Sequence, residues 1–303
     1  MRAEVTVVVP TYNQADFLGD ALKSVIAQDF TGWRAIVVNN HSTDGTRDVV
    51  DALRDPRIEL VDFANHGVIA ASRNVGIERA DTEFVAFLDS DDWWLPTKLS
   101  HCVATLGTRF DLVCHAEEWR SDTGSRVVRY GPANRSGYRE LLLGGNRLST
   151  SAVVGRTEIF RRLGGFSVDT RFVTAEDYDL WLRVAESGGR FAFIDDVLGV
   201  FRIHGSSASS AVDRNVAAEM AVVEDHMSRA AFASRAVRRK RTARSHYSAG
   251  RAHHAAGNRR AALRRLLLSI RLNPLFPRVH IALVLAVISL VRRGANSGGG
   301  SRA

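Results

Sequence analysis

Apolar and polar positions in the first third of the chain alternate between short β-branched runs and helical stripes. Residues 5–10 form a Val-rich run of the kind buried in a strand. Residues 16–28 place Phe17, Leu18, Leu22, Val25 and Ile26 at helical spacing. A second strand is predicted over 33–38. The capping-rich stretch Asn39, Asn40, His41, Ser42, Thr43, Asp44, Gly45 and Thr46 then opens a helix to Leu53. A third strand over 57–63, a turn at Asn65, His66 and Gly67, a helix over 68–80 and an apolar strand over 84–88 continue the series. Strands alternating with helices across short connections predict an α/β fold. Its sheet should be mostly parallel, doubly wound and joined by right-handed crossovers.

Beyond Asp92 the alternation loosens. The pattern predicts a helix over 95–106, strands over 111–115 and 126–130, and a short helix over 138–143. A strand over 149–154 follows, then a helix that stops at Gly164 and Gly165. Residues 174–187 read as a helix with an acidic first turn, Glu176, Asp177 and Asp179, and 191–194 and 197–203 read as two strands. From Val212 the chain is helical and rich in Ala and Arg. Residues 247–274 fit one helical hairpin with its turn at Gly257 and a stop at Pro274. The expected organisation is an α/β domain over 1–210, a basic α-helical region over 211–296 and a flexible tail over 297–303 rich in Gly and Ser.

Charge sharpens this division. The net charge of +8 comes from 41 Lys and Arg against 33 Asp and Glu. No acidic residue follows Asp225, whereas seventeen basic ones do, leaving 24 basic against 33 acidic residues up to and including it. An acidic front part and a basic rear part imply different partners. Cys102 and Cys114 lack metal-ligand spacing and read as reduced thiols. Met1-Arg2-Ala3-Glu4 leads straight into the first strand, so no signal peptide is expected.

Three carboxylates, Asp89, Asp91 and Asp92, close the apolar run at 84–88. Carboxylates crowded at a strand end repel one another unless they are solvated, protonated or bridged by a cation. The open end of a parallel sheet is where α/β folds bind ligands. Hard oxygen ligands suit Mg2+ or Mn2+ shared with a substrate phosphate. The plain alternative is an acidic turn that caps the next helix.

Six segments in order extend this picture. They are residues 5–13, Ser42 to Thr46, Arg73-Asn74, Asp89-Ser90-Asp91-Asp92, Glu176-Asp177-Tyr178-Asp179-Leu180-Trp181, and Phe201-Arg202-Ile203-His204-Gly205-Ser206. In that order and spacing they resemble family 2 glycosyltransferases over residues 4–210. The resemblance implies a GT-A fold, a UDP-, GDP- or dTDP-sugar donor, Mn2+ or Mg2+ as cofactor, and inversion at the anomeric carbon.

By the same resemblance, Asp89, Ser90 and Asp91 correspond to the Asp-X-Asp motif. Asp91 is then the foremost metal ligand, Asp89 lies near the ribose or metal, and His204 approaches the metal or diphosphate. Asp177 matches the base that takes the acceptor proton, a role an inverting transfer requires. Its plain alternative is a carboxylate favoured by the helix dipole. Glu176, Asp92, Trp93 and Trp181 are assigned to the acceptor and sugar pocket, where Asp92 supports the site and Glu176 orients the loop or touches the acceptor, with core packing the stronger local reading for Trp181. Pro10, Thr11, Tyr12, Asn13, Asn40 and Arg73 are assigned to the nucleotide sugar. Asn39 and Asn40 stand where many relatives carry an Asp that accepts from the base. An Asn can still accept and can also donate.

The expected acceptor is a glycan or a lipid-linked sugar, in cell-envelope polysaccharide or glycoconjugate synthesis. The basic rear part fits an anionic membrane surface, with apolar residues 281–291 flanked by Arg278, Arg292 and Arg293. No nucleic acid is expected, because no recognition motif accompanies the charge. The location expected is cytoplasmic, at the inner face of a membrane. Two other classes stay open: a catalytically silent nucleotide-sugar or glycan binder, and a nucleotidyltransferase. The second lacks its usual support, because the first loop has no glycine- and basic-rich triphosphate cradle. A glycosidase fits the strand-end carboxylates less well.

Overall fold

A computed structural model describes residues 4–205 and 211–297, and the chain divides into two compact units, Met1–Ser207 and Ala208–Ala303. Residues 206–210, where the expected boundary falls, and 298–303 of the expected tail lie outside the described residues.

The first unit runs β1 (Val5–Thr11), α1 (Ala15–Ile26), β2 (Trp33–Asn39), α2 (Thr46–Leu53), β3 (Ile58–Asp62), α3 (Ile69–Arg79) and β4 (Phe84–Phe87). It continues with β5 (Trp93–Trp94), α4 (Lys98–Leu106), β6 (Leu112–Ser121), β7 (Gly124–Val128), α5 (Tyr138–Gly144), β8 (Val153–Arg156), α6 (Thr157–Arg162), α7 (Glu176–Glu186) and β9 (Phe191–Arg202). The sheet order is β3-β2-β1-β4-β8-β6-β9-β5, with β7 paired to β6. The half from β3 to β4 is parallel throughout. The other half is mixed: β8 is antiparallel to β4 and β6, β9 is parallel to β6, and β5 is antiparallel to β9.

β1 is central, and Val5, Val7, Val8 and Val9 are all buried. Both faces of a parallel sheet are covered, so such strands read as unbroken apolar runs. α3 lies close on this sheet: a Cβ at Gly76 would meet Val8 Cγ1 at 2.3 Å. Only glycine permits that approach, and it fixes the height of Arg73 one turn earlier on the same helix.

In the first unit the structure departs from the sequence pattern most clearly at the following segments. The strand expected over 149–154 is a 3-10 turn at Thr150–Ala152, with β8 starting only at Val153. Ser151 explains this, because its carbonyl accepts from Trp94 Nε1 and its hydroxyl joins Asp89 and Asp92. The two strands expected over 191–203 are one strand. A register shift opposite His115, Ala116 and Glu117 absorbs the exposed pair Asp195 and Asp196 as a bulge. Trp93 and Trp94 form a short edge strand on Val200 and Gly199 that the pattern did not announce.

The second unit holds α8 (Val212–Arg229), α9 (Arg235–Ala255), α10 (Arg259–Leu272) and α11 (Pro277–Ser297). The expected hairpin is α9 and α10, turning at Gly257 with φ +77°. It begins earlier than Tyr247, because Ser234 caps α9 by accepting from Val237 N–H. One of the unit's buried clusters is Leu266, Val279, Ala282 and Ala286, with Tyr247 packed edge-on against Phe276 beside it.

Candidate active site

The apolar run of β4 ends at buried Leu88, whose N–H bonds Val8 O at 3.0 Å. The chain then turns sharply, with Asp92 N–H on Asp89 O at 3.0 Å. This acidic turn does not cap a helix: α4 begins at Lys98, and its first turn carries no acid.

Asp92 braces the turn from inside. Its Oδ2 accepts from Ser151 Oγ at 2.6 Å and its Oδ1 from Arg202 N–H at 2.9 Å. Ser151 Oγ in turn accepts from Asp89 N–H at 3.1 Å. Burial pushes the Asp92 carboxyl well above its ordinary range, and the charges of Asp91, Glu117 and Asp89 add to that. Asp92 therefore cannot line the acceptor pocket to which it was assigned. It joins the acidic turn to the end of β9 and to the Ser151 turn.

Asp91 faces His204 just beyond β9, with Oδ2 and Nε2 2.9 Å apart. Burial and the neighbouring charge of Asp89 raise the Asp91 carboxyl, while the His204 contact works the other way. The His204 ring packs on Phe17 of α1 at 4.8 Å between centroids. Arg202 holds the same corner. Its Nε donates to Asp91 O, its Nη2 reaches Asp20, and its guanidinium lies 4.6 Å from the Trp93 ring.

Arg73 links the two acidic motifs. Its Nη2 donates to Asp89 Oδ1 and its Nη1 to Glu176 Oε1, both at 2.7 Å, and its side chain is only 4% exposed. Burial disfavours its charge, yet Asp89 and Glu176 more than compensate and keep it protonated. The resemblance assigned Arg73 to the nucleotide sugar, as a contact to its diphosphate or base. In the structure both terminal nitrogens hold carboxylates instead. Glu176 is likewise buried, its Oε2 accepting from Thr174 N–H at 2.7 Å, so it orients the loop before α7 rather than facing an acceptor.

Asp177 sits beside this bridge in the first turn of α7 and is half-buried. Oδ1 accepts from Tyr178 N–H at 2.6 Å, and Oδ2 from Asn146 Nδ2 at 3.0 Å. Burial and the charge of Glu176 push its carboxyl up to about 6, against the lowering effect of Arg73. A group with that pKa is mostly ionised at neutral pH and basic enough to accept a proton, which suits a general base.

At the ends of β1 and β2, Asn13 adopts φ +50° and ties two loops together. Its N–H donates to Ser42 Oγ, and its Oδ1 accepts from Thr43 N–H. Asn40 Oδ1 accepts from Asn65 N–H, and Asn40 N–H donates to Thr11 O. Pro10 and Thr11 are buried, whereas Tyr12 is exposed. Asn39 Nδ2 donates to Asp62 Oδ1 at 2.8 Å, a contact an aspartate could not make. Ser90 is buried with its hydroxyl on Gln14 Oε1, so its side chain holds α1 against the acidic turn rather than lying open to a nucleotide.

Trp181 also departs from expectation. It is fully buried between Phe160 and Phe166, with ring centroids 6.4 and 6.2 Å away, and lines no pocket. The core reading of its helical position was the correct one. Trp93 is half-buried beneath Arg202 and Arg120.

Several residues around the site carried no sequence signal. Ser151 is one. Another group is Glu117, which accepts from Tyr130 and Ser149 behind the acidic turn and is pushed up to about 7 by burial. Lys98 is buried nearby, with Nζ 3.3 Å from the Trp94 ring centroid, and burial brings it down to about 7. These residues act through pairing across strands, which spacing along the chain does not encode.

Among the described residues no three His, Cys, Asp or Glu side chains form a preassembled metal cage. Asp91 and His204 offer a facing oxygen and nitrogen pair at the sheet's open end, with Asp89 beside them and held by Arg73. A divalent cation completed by substrate phosphates asks for such a partial set.

The profile described as Glycosyl transferase family 2 matches residues 6–164, from β1 through α6. The chain belongs to that family. Among curated relatives, this family 2 chain is 42% identical over 97 residues to a putative teichuronic acid biosynthesis glycosyltransferase, TuaG, of Bacillus subtilis. That match spans 31% of this chain and 38% of the relative. It is 24% identical over 206 residues to the Escherichia coli UDP-Glc:alpha-D-GlcNAc-diphosphoundecaprenol beta-1,3-glucosyltransferase WfaP, spanning 68% of this chain and 80% of the relative. Its fold is similar to that of the Pyrobaculum calidifontis mannosyltransferase PcManGT, solved with GDP-Man and Mn2+. That likeness has a TM-score of 0.64 at 21% identity and covers 96% of this chain and 81% of the other. The mixed α/β sheet with flanking helices is thus of the GT-A type, and the transferase has glycosyltransferase relatives in polysaccharide biosynthesis.

Proposed function

We propose that this transferase moves a sugar from a nucleotide-sugar donor to a hydroxyl of a glycan or lipid-linked acceptor, with inversion, in the assembly of a cell-envelope polysaccharide. The observation that carries the reading is the bridge Asp89–Arg73–Glu176 beside Asp177. It brings a strand-end acidic turn and a basic carboxylate, far apart in sequence, to one locus.

The nucleotide would lie over the ends of β1 and β2, where Tyr12 is exposed and Asn13 and Asn40 brace the loops. The diphosphate would lie at Asp91 and His204, which with Asp89 would hold Mn2+ or Mg2+. When bound, such an ion offsets negative charge on the departing diphosphate. The Asp177 carboxylate takes the acceptor hydroxyl's proton as that oxygen bonds the anomeric carbon. The bond from that carbon to the diphosphate oxygen breaks, and its electron pair leaves on the diphosphate. Asn146 and Tyr178 N–H hold the carboxylate in place. Arg73 and Glu176 set its distance from the acidic turn and take no part in bond making. Donor preference among uracil, guanine and thymine nucleotides would follow from the Asn13 and Asn40 loops. The mannosyltransferase complex with GDP-Man and Mn2+ and the UDP-Glc-using relative support a nucleotide-sugar donor.

The test is nucleoside diphosphate release from UDP-, GDP- and dTDP-sugars with Mn2+ or Mg2+, comparing the wild type with Asp91→Ala and Asp177→Asn. Metal-dependent release from one donor, abolished by both substitutions, is expected. Donor binding that ignores both metal and Asp91→Ala would overturn the reading in favour of a silent binder.

A further inference from the structure

Between Val279 and Ile288, α11 carries apolar residues on both of its faces. Val279, Ala282 and Ala286 turn inward onto Leu266 of α10. The larger side chains turn outward: Ile281, Val284, Leu285, Val287 and Ile288 are all exposed, Ile281 to 64% and Leu285 to 51%. At about 100° per residue these five make one continuous stripe opposite the buried face. A helix that served only its own unit would carry small or polar residues outside and large apolar ones inside. Here the order is reversed, and the outer stripe calls for an apolar surrounding.

The chemistry around the stripe decides which surrounding it is. No Asp or Glu follows Asp225, and seventeen Lys and Arg do. A cleft of 990 Å³ gathers four of these, Arg235, Arg239, Lys240 and Arg271, at the start of α9 and the end of α10. Arg278 precedes the stripe and is exposed, and Arg292 and Arg293 follow it in sequence. A second copy of this unit would bring like charges against these cations. Nucleic acid would satisfy the cations and leave the stripe in water. An anionic lipid surface satisfies both, because it offers phosphates above an acyl boundary. No helix among the described residues is long and apolar enough to cross a membrane. A short apolar stripe between cations suits a helix lying in the interface instead.

We infer that the second unit docks on an anionic lipid surface, with α11 laid into the headgroup boundary by Ile281, Val284, Leu285, Val287 and Ile288 and with the basic cleft on lipid phosphates. The inference does not rest on the transfer reaction proposed above, and its test needs no sugar donor.

The experiment is flotation of the full-length chain with vesicles of phosphatidylcholine alone or mixed with phosphatidylglycerol. Binding to the mixed vesicles is expected, and it weakens at high salt. Leu285→Glu, on the exposed face and so compatible with folding, lowers binding at least about tenfold, since a charge replaces buried apolar area. Arg235→Gln and Arg239→Gln each lower it about 5-fold, at roughly one surface cation apiece. Circular dichroism confirms that the variants stay helical. Equal binding to both vesicle types, or to neither, overturns the inference. A concentration-dependent dimer that Leu285→Glu dissolves, without vesicle binding, assigns the stripe to a second copy. Retention on duplex DNA without vesicle binding assigns the cations to nucleic acid.

Discussion

Each unit of this transferase buries one arginine on carboxylate partners, and the two are assembled differently. Arg73 takes Asp89, from the end of a strand, and Glu176, more than a hundred residues later at the start of α7. Arg241 takes Glu219 on the preceding helix and Ser245 one turn along its own. Arg73 is 4% exposed and Glu176 8%, so neither can be rehydrated in place. Arg241 is 1% exposed, but Glu219 keeps 28%. The first unit thus closes its charges by sheet topology, with Glu176 sealed from water and Asp89 keeping 27%. The helical unit closes its charge between neighbouring helices, with Glu219 keeping 28%. The first ties the strand-end turn at Asp89 to the start of α7, and the second ties α9 to α8.

Substitutions can break or sharpen that contrast. The largest effect is expected at the reacting end of the Arg73 bridge. Asp177→Asn should lower kcat by about 10²–10⁴-fold, the usual contribution of a general base, with donor affinity kept. The wild-type rate should rise with pH through about 6 as Asp177 ionises, and that limb should vanish in the variant. Stability carries the opposite sign. A folded-state pKa above the unfolded one penalises the ionised form, so Asp177→Asn should melt higher than wild type at pH 7. That advantage should shrink as pH falls through about 6. A variant with normal kcat would remove Asp177 from the base role.

Arg73→Met comes next. It leaves Glu176 and Asp89 unpaired, which costs about 3–5 kcal/mol of stability, readable in urea unfolding. Nucleotide release should fall as well, because the acidic turn and the α7 loop lose their tie. Arg241→Met should cost less, about 1–2 kcal/mol, because Glu219 can turn to water. Equal losses at the two arginines would show that solvent access to the partner does not set the cost. Smallest is Ser151→Ala, about 1 kcal/mol in stability for the lost hydroxyl contacts to Asp92 and Asp89 N–H, with a drop in metal or nucleotide affinity from a loosened turn. Calorimetric titration with nucleotide checks the second part.

The parallel half of the sheet was legible because its strands are short, β-branched and fully buried, and its helices carry apolar stripes at regular spacing. The mixed half was harder. Asp195 and Asp196 look like a chain break, yet a bulge carries the strand through them. Ser149 to Val154 looks like a strand, yet Ser151 bonds the acidic turn instead of a ladder. Site residues divide the same way. Asp89, Asp91, Asp177 and His204 announce themselves by charge at element ends. Arg73, Asp92 and Ser90 were visible as residues, but their burial and partners were not.

The sequence by itself determined the alternation of elements, the acidic turn after a buried strand, the acidic start of α7 and the split between an acidic front and a basic rear. Those features are local or compositional, and local patterns survive in one dimension. Tertiary structure alone decided that Arg73 faces inward onto two carboxylates, that Asp92 is buried against Ser151 and the end of β9, and that the larger side chains of α11 point outward. Each depends on which surface another element covers. That is set by packing between segments far apart in the chain, where a helical or strand period gives a face but not its partner.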